Sequence, residues 1–316
     1  MILRGLLCND LLPLVGRFAV ERGPKPLLDA YGSGDMPMIA WLSSLGQKVA
    51  PENIGLALIR VCGGGHTRAA RCLAKRHIIT TADARTNNNA ALGTACCGGH
   101  LAVARWLVAR FGLTAADARA GYGDALRWAC RHGHLAMAWW LVARFGLTAV
   151  DVRAEDCGAL RMACGHGHLT VAKWLVARFG LTAADARALS GDALHRACMA
   201  GHLDVVQWLI ARFRLMTFDI RVFNNYALCR TCENGHLRLV RWLVAHFKLT
   251  AADARDRGNY ALRWACGNGH LALAKWLVTR FRLTAADAHV DHNGAIRMAR
   301  EHGHANVVNW LIARFG

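Results

Sequence analysis

A Gly-His pair recurs through the sequence at a fixed interval, and this recurrence restricts the fold more than any other feature. The histidines of the pair, each 34 residues after the one before, are His66, His100, His134, His168, His202, His236, His270 and His304. A degenerate ninth copy precedes them at Gly34-Asp35. A fixed period of this length is typical of arrays in which each unit buries its apolar face only against its neighbours. The sequence therefore predicts about nine stacked units without a globular centre.

Inside one unit the apolar residues follow a helical period. After His202 the apolar stripe, at spacings of three and four, consists of Leu203, Val206, Leu209, Ile210 and Phe213. Such a stripe predicts an amphipathic helix. A shorter apolar face over residues 193–198 predicts a first helix that ends at Gly201. The fold class is accordingly all-α, with each unit a helix-turn-helix hairpin.

A capping-box pattern lies between successive units. Thr and Asp stand three residues apart at Thr80/Asp83, Thr114/Asp117, Thr148/Asp151, Thr182/Asp185, Thr250/Asp253 and Thr284/Asp287. In a capping box the two residues satisfy each other's backbone amides at a helix start, and the acid also suits the helix dipole. The pattern predicts a short third helical turn after each second helix.

Cysteine also follows the repeat. Cys62, Cys96, Cys130, Cys164, Cys198, Cys232 and Cys266 each lie four residues before a repeat His. They are predicted to be small core residues, because ligands from successive units cannot converge on one metal ion. Unpaired thiols indicate a reducing compartment, hence an intracellular protein. We expect the cytoplasm, with the nucleus as the alternative.

The stretch Ala193–Val206, ALHRACMAGHLDVV, resembles the first helix, Gly-His turn and second-helix start of ankyrin repeats. The resemblance covers about residues 23–316 and implies an ankyrin-type helical solenoid, in which each repeat His closes its turn by bonding backbone. Two features depart from the family. Its Thr-Pro is replaced, for example by Asp192-Ala193, and the unit is one residue longer, with the capping box where the family places a β-hairpin. Whether this segment is a hairpin or a short helix stays open.

The repeated Trp-Leu and Phe-Gly-Leu-Thr segments are similar to the long arrays of large DNA viruses of protists and of some protists. In the viral proteins an F-box-like segment sometimes precedes the repeats and recruits a ubiquitin ligase. The resemblance therefore gives a substrate-adaptor alternative, with LLCNDLLPLVGRF within residues 1–30 as a degenerate F-box-like segment. A viral protein would act in the host cell. Residues 1–33 are predicted to be an N-terminal cap and residues 34–316 the array.

Positions that vary inside this constant frame are the candidate contacts with a partner. One first-helix position, six residues before the repeat His, holds Trp128, Met162, Arg196, Arg230, Trp264 or Met298. Nearby variable residues are Arg131, His132, His166 and Glu233. We expect a monomer that binds another protein through these residues, on the concave face of the array.

The surplus of positive charge gives a second kind of partner. The chain carries 39 Lys and Arg against 21 Asp and Glu, a net charge of +18, which favours anionic partners. One arginine ladder, near the ends of the second helices, is Arg76, Arg110, Arg144, Arg178, Arg212, Arg280 and Arg314. Another, after the capping boxes, is Arg85, Arg119, Arg153, Arg187, Arg221 and Arg255. Either these form a solvated basic face, or they form a stripe that binds nucleic acid without regard to its sequence.

Other classes of function are not favoured. Gly63-Gly64-Gly65 is not followed by the Lys-Ser/Thr of a phosphate-binding loop, and no Ser lies in a nucleophile elbow. No apolar run approaches the roughly 20 residues that span a bilayer. We therefore expect a non-enzymatic protein with no cofactor, no metal, no small-molecule substrate and no membrane span.

Overall fold

The computed structural model describes residues 26–120 and 125–316. Over these residues all regular elements are helices, and no β-strand is present, so the predicted all-α fold is confirmed. The chain divides into two compact units, Met1–Ala154 and Glu155–Gly316. The segment LLCNDLLPLVGRF and most of the predicted cap lie outside the described residues.

In the first unit the helices pack as hairpins. The first hairpin pairs Pro26–Ser33 with Met36–Ser44. The division between cap and array at residues 33 and 34 falls between these two helices and stays a prediction. The helices of this unit are α1 Pro26–Ser33, α2 Met36–Ser44, a 3₁₀ turn Pro51–Asn53, α3 Ile54–Gly63, α4 Thr67–Arg76, α5 Thr81–Ala84, α6 Thr86–Cys97, α7 Leu101–Phe111, α8 Ala115–Arg119, α9 Ala125–Arg131 and α10 Leu135–Phe145.

The second unit repeats the same order. Helix α11, Ala149–Gly165, contains the division between the units. The helices that follow are α12 Leu169–Phe179, α13 Ala183–Ala186, α14 Ala188–Ala200, α15 Leu203–Phe213, α16 Thr217–Glu233, α17 Leu237–His246, α18 Ala251–Gly267, α19 Leu271–Phe281, α20 Ala285–Ala288, α21 Val290–Glu301 and α22 Ala305–Phe315. Each repeat thus consists of a short connector helix, a first helix that ends at the Gly-His turn, and a second helix.

The connector is a helix at each capping box. At Thr80 the backbone N–H donates to Asp83 Oδ2 over 2.8 Å, and the Asp83 N–H donates to Thr80 Oγ1 over 3.2 Å. This reciprocal pair satisfies two amides that a helix start leaves unpaired. The predicted third helical turn is therefore confirmed, and the hairpin alternative is excluded over the described connectors.

Between the connector and the first helix, the backbone turns through consecutive left-handed residues. In the first unit Asn87–Asn89 have φ between 52° and 59°. In the second unit Arg257–Asn259 and Asp291–Asn293 have φ between 53° and 63°. Asn, Asp and Gly tolerate this region best, which explains their frequency at this point of the repeat. This turn was not predicted from the sequence.

The core contains the residues that recur. All seven repeat cysteines are buried, as expected for a small core position. Burial raises the pKa of the Cys266 thiol to about 12, so this group is protonated at neutral pH. The repeated Trp residues pack their rings edge-on against a Phe five residues later, as between Trp174 and Phe179, whose ring centroids are 5.9 Å apart.

The side chains of four repeat histidines, His100, His134, His236 and His270, bond a carbonyl of the preceding repeat. Their backbone N–H groups bond carbonyls of their own first helices and so close their own turns, as the family resemblance implies. The Nε2–H of His100 donates to the carbonyl of Gly63, and that of His270 donates to the carbonyl of Glu233, both 37 residues upstream. The glycine of the preceding Gly-His pair has positive φ, and the His ring lies directly against it. The Gly-His pair is therefore a contact between repeats as well as a turn.

The capping-box Asp and the connector Arg also join neighbouring repeats. In the second unit Asp253 accepts hydrogen bonds from the Thr250 backbone N–H at 2.7 Å and hydroxyl at 3.0 Å. Its carboxylate also accepts from Nε and Nη2 of Arg221, in the preceding repeat, at 2.7 and 3.0 Å. The same pairing joins Arg85 to Asp117, Arg119 to Asp151, Arg187 to Asp219 and Arg255 to Asp287. This arginine ladder is therefore part of the scaffold and not a free basic stripe.

These pairs predict an acid-dependent contribution to stability. The hydrogen bond from Arg85 holds the pKa of Asp117 at about 2 in the folded protein, below the value of about 4 in an unfolded chain. The contribution of the pair is therefore complete above pH 4 and lost as the pH falls towards 2. We expect Asp117→Asn to destabilise the protein by a constant amount between pH 7 and 5, and by progressively less below pH 4.

Urea unfolding of the wild type and the variant at each pH measures the difference in their free energies of unfolding. The histidines titrate in both proteins, so their effect cancels in this difference. The exposed Asp204→Asn serves as the control. A difference that stays constant down to pH 2 would mean that the Arg85 pair does not stabilise the fold.

Candidate partner-binding surface

The predicted contact residues lie at three positions of the repeat, two on the first helix and one in the turn directly after it. These positions are six, three and two residues before the repeat His, and we call them −6, −3 and −2. All described side chains at −6 are half-buried. In the second unit the −6 side chain packs over the −3 residue of the preceding repeat, as Arg196 does over Gly165 and Met298 over Gly267. The −6 and −3 positions therefore form one continuous row within that unit.

In the first unit three predicted residues stack on one another. The rings of Trp128 and His132 are 5.9 Å apart and nearly parallel, with 10° between their planes. The guanidinium of Arg131 lies over the Trp128 ring, 5.2 Å from its centroid. His132 in turn lies 6.3 Å from the ring of the repeat histidine His134. The structure therefore brings Trp128, Arg131 and His132 together, at half-buried positions.

In the second unit the predicted residues Arg230, Glu233 and Trp264 meet around Tyr260. Arg230 Nη1 donates to Glu233 Oε2 at 2.6 Å, and the Tyr260 hydroxyl donates to the same oxygen at 2.8 Å. The rings of Tyr260 and Trp264 are 5.5 Å apart. Burial and the Glu233 carboxylate raise the pKa of Tyr260 to about 12, so its hydroxyl remains a donor.

This cluster includes two aromatic residues that were not predicted. Tyr226 lies under the Arg230 guanidinium at 5.0 Å, and Tyr260 connects Glu233 to Trp264. Both tyrosines occupy the position ten residues before the repeat His, which holds Ala90 or Asp192 elsewhere. Comparison of repeats could have found them, because Tyr is rare in this chain and occurs at this position in two adjacent repeats. We call Tyr226, Arg230, Glu233, Tyr260 and Trp264 the tyrosine cluster.

The other predicted residues have separate surroundings. Arg196 Nε donates to Asp192 at 2.5 Å, and Asp192 also accepts from Arg161 at 2.7 Å. His166 is exposed, and its Nδ1–H donates to the carbonyl of Met162 in the same turn. Met162 and Met298 occupy the −6 position, as Arg230 and Trp264 of the tyrosine cluster do, and His166 occupies the −2 position.

One buried histidine lies beside the cluster. His195 is 4% exposed, its ring is edge-on to Tyr226 at 5.3 Å, and its Nε2 has no hydrogen-bond partner. Burial lowers the pKa of His195, against the opposing effect of Asp192, so its ring is uncharged at neutral pH. An uncharged ring is compatible with the aromatic packing around it.

Within the described ranges, no group of three or more His, Cys, Asp or Glu residues has the arrangement of a metal site. No helix in the same ranges is long and apolar enough to cross a membrane. The features that remain on the first helices are stacked aromatic rings, arginines and a carboxylate. Side chains of these kinds can pack against other molecules and form hydrogen bonds with them.

Comparison with known proteins identifies the repeat. The family model described as "Ankyrin repeats (3 copies)" matches residues 126–221, 194–287 and 228–316, which together span more than half of the chain. This chain belongs to the ankyrin-repeat family. Among solved structures, the crystal structure of the human ASB11 ankyrin repeat domain matches with 19% sequence identity and a TM-score of 0.43, over 60% of this chain and 83% of that one. The search of curated proteins found no match.

Ankyrin repeats generally mediate protein–protein interactions and typically have no catalytic activity. The ankyrin repeats of this chain place helical connectors and left-handed turns where the family has β-hairpins. Over the described residues, hairpin fingers are thus absent, and the variable side chains of the ankyrin array lie on its first helices.

Proposed function

We propose that this ankyrin array binds a protein partner on its concave face, through the −6 and −3 positions of its first helices and the −2 position of the turns that follow them. The tyrosine cluster is the observation that carries the proposal. Tyr, Trp and Arg are the residues that most often dominate the binding energy of protein interfaces. Here they are half-buried, joined by hydrogen bonds, and held in place before any partner arrives.

The frame of the array supports this assignment. The repeat His residues, the capping-box Asp residues and the connector Arg residues hold neighbouring repeats together. The −6 position differs from these because it holds Trp, Met, Arg or Thr in different repeats and keeps part of each side chain accessible. Different side chains at the accessible −6 position can make an array with an otherwise constant frame specific for one partner.

The proposal predicts a selective loss of binding. Replacing both Trp128 and Trp264 by Ala is expected to lower the amount of captured partner at least about tenfold, because truncating an aromatic anchor typically weakens an interface by 2 kcal/mol or more. Affinity capture from cell lysate with the tagged protein measures the loss. Thermal unfolding followed by circular dichroism checks that the variant stays folded.

Trp139→Ala is the matched control, because Trp139 is 59% exposed but lies on a second helix. It is expected to leave capture unchanged. Equal capture by the wild type and the double variant would show that the −6 position does not contact the partner.

Three finer predictions remain proposals. The similarity to the long arrays of DNA viruses of protists would place the protein in a host cell, in its cytoplasm or nucleus. The ligase-adaptor alternative depends on residues 1–30, and deleting them should remove a ligase subunit while the repeats keep their target. Light scattering can test the predicted monomeric state.

A further inference from the structure

The positive charge of the second unit is concentrated on its second helices. Residues 155–316 contain twenty-one Lys and Arg against twelve Asp and Glu, a net charge of +9. The five second helices hold eight of these cations and a single acid, Asp204, which is a net charge of +7. The eight cations are Lys173, Arg178, Arg212, Arg238, Arg241, Lys275, Arg280 and Arg314. All are exposed, and we call them the basic face.

The cations of the basic face differ from the connector arginines in their partners. Arg187, Arg221 and Arg255 each form a bidentate pair with an Asp of the next repeat. Among the described residues, no carboxylate lies within ion-pair distance of any member of the basic face. The connector arginines are neutralised within the fold, whereas the basic face has its charge available for a partner.

Several of these arginines are held in place by an aromatic ring. The guanidinium carbons of Arg178, Arg212 and Arg280 lie 5.5, 5.5 and 5.7 Å from the ring centroid of the next residue, a Phe. Arg241 lies 5.9 Å from the ring of Trp276 in the following repeat. Contacts of this kind restrict a long side chain before it binds, which reduces the entropy lost on binding.

Seven of the eight cations form two rows along the unit, and Arg238 stands outside both. One row stands five residues after the repeat His and contains Lys173, Arg241 and Lys275; the other stands ten residues after it and contains Arg178, Arg212, Arg280 and Arg314. Positions five residues apart are separated by about 140° around a helix axis. The rows therefore flank the exposed side of each helix, with small residues such as Ala177 and Ala211 between them.

The chemistry of this face fits a phosphate chain best. Protein interfaces and membrane-bound helices need exposed apolar anchors, and Ile312 is the one large apolar side chain that is exposed on the described second helices of this unit. Arginine matches phosphate oxygens in charge and geometry. We propose that the basic face binds the phosphate backbone of nucleic acid without reading its bases, on a surface separate from the first helices.

Salt dependence tests the proposal. The probe is a fluorescein-labelled DNA duplex of about 20 base pairs, and anisotropy gives its affinity for the full chain over a range of salt concentrations. The test variant carries Lys173→Gln, Arg241→Gln and Lys275→Gln. Loss of three phosphate contacts should reduce the salt slope by about 2.7, so that between about 50 and 200 mM salt the wild-type affinity falls about 40-fold further than that of the variant.

The control variant carries Arg257→Gln, Arg297→Gln and Arg300→Gln, which removes the same charge from the connector turn and first helix of the same unit. It is expected to keep the wild-type slope. Equal slopes for the two variants would show an effect of net charge alone, and a wild type that does not bind the duplex at about 50 mM salt would also overturn the proposal. So would equal competition by a polyglutamate peptide. Because Trp128→Ala with Trp264→Ala should leave this slope unchanged, failure here is distinct from failure of the protein-binding proposal.

Discussion

Gly235→Ala is expected to destabilise the second unit by about 3–4 kcal/mol, which is large for the addition of one methyl group. Gly235 has φ of +75°, where any residue with a Cβ is strained by about 1–2 kcal/mol. A Cβ at this position would also lie 2.5 Å from two ring atoms of His270. To relieve that overlap, the ring must move away from the carbonyl of Glu233, to which its Nε2–H donates at 3.0 Å. The substitution therefore disrupts a turn and the contact between two repeats.

Gly180→Ala separates these two effects. Gly180 ends the helix Leu169–Phe179 with φ of +61°, and no neighbouring atom lies within 4 Å of the Cβ position. We expect this variant to show the backbone strain alone, about 1–2 kcal/mol. Urea unfolding measures both variants, and hydrogen exchange should show faster opening around residues 233–236 and 270 only in Gly235→Ala. Equal destabilisation by the two substitutions would mean that the His270 contact contributes nothing.

Asp253→Ala is expected to destabilise the same unit by about 2–3 kcal/mol. One carboxylate, 6% exposed, accepts two hydrogen bonds from Thr250 and two from Arg221. Its removal takes away the cap of the helix Ala251–Gly267, a loss of about 1 kcal/mol. Loss of the hydrogen bonds to Arg221 adds a further destabilisation. This contribution is at the lower end of the range for ion pairs, because Arg221 is 47% exposed and solvent screens its charge.

The measurement for Asp253→Ala is the urea midpoint, with Asp204→Ala as the control. Asp204 is also an acid in the first turn of a helix, but it is exposed and has no described partner, so its loss should be below about 1 kcal/mol. Hydrogen exchange should place the weakened region on both sides of the junction between the Arg221 and Asp253 repeats. Equal destabilisation by Asp253→Ala and Asp204→Ala would contradict a role of the connector Arg–Asp pairs in joining repeats.

The recurring residues allowed most of the fold to be predicted. The Gly-His spacing, the apolar stripe and the Thr-x-x-Asp box each reflect local chemistry: a turn, a helix face and a helix start. Features that depend on residues close together in the sequence can be predicted from the sequence. The connector helix, which the family resemblance alone would have made a hairpin, was predicted correctly because Thr80 and Asp83 satisfy each other within one turn.

Contacts between repeats could not be read in the same way. The arginine and aspartate ladders are both visible in the sequence, but Arg221 and Asp253 are 32 residues apart. No neighbouring residue in the sequence indicates that these two side chains form a pair. For the same reason the bond from the His270 side chain to the preceding repeat was not predicted, although its backbone N–H closes its own turn as expected. The left-handed turns were missed because Asn87, Arg257 and Asp291, which begin them, differ in residue type, and the Asn that recurs two residues later was not compared between repeats.

The candidate site was predicted in part. Trp128, Arg131 and His132 were named because they vary within a constant frame, and the structure brings them together. Tyr226 and Tyr260 were missed because the variation at their position was not compared between repeats. Tyr226 contacts Arg230 one turn along the same helix, whereas Tyr260 reaches Glu233 and Arg230 across a repeat boundary, which only the stacking of the repeats determines.

The two surfaces differ in the residues that they expose. The first helices present aromatic rings and hydrogen-bonded side chains, while the second helices of the second unit present unpaired cations with few apolar groups. A partner protein gains binding energy from the first kind of surface, and a polyanion from the second. Each surface can therefore be disabled without the other, since no residue belongs to both.

The central claim is that the first helices of this ankyrin array hold a protein partner. Affinity capture from lysate, with and without nuclease and with Trp128→Ala plus Trp264→Ala beside the wild type, tests it most directly. We predict that the wild type captures a discrete protein that survives nuclease treatment, and that the double variant does not capture it. Disappearance of everything captured once nuclease is added would contradict it, and would leave the basic face as the functional surface of the protein.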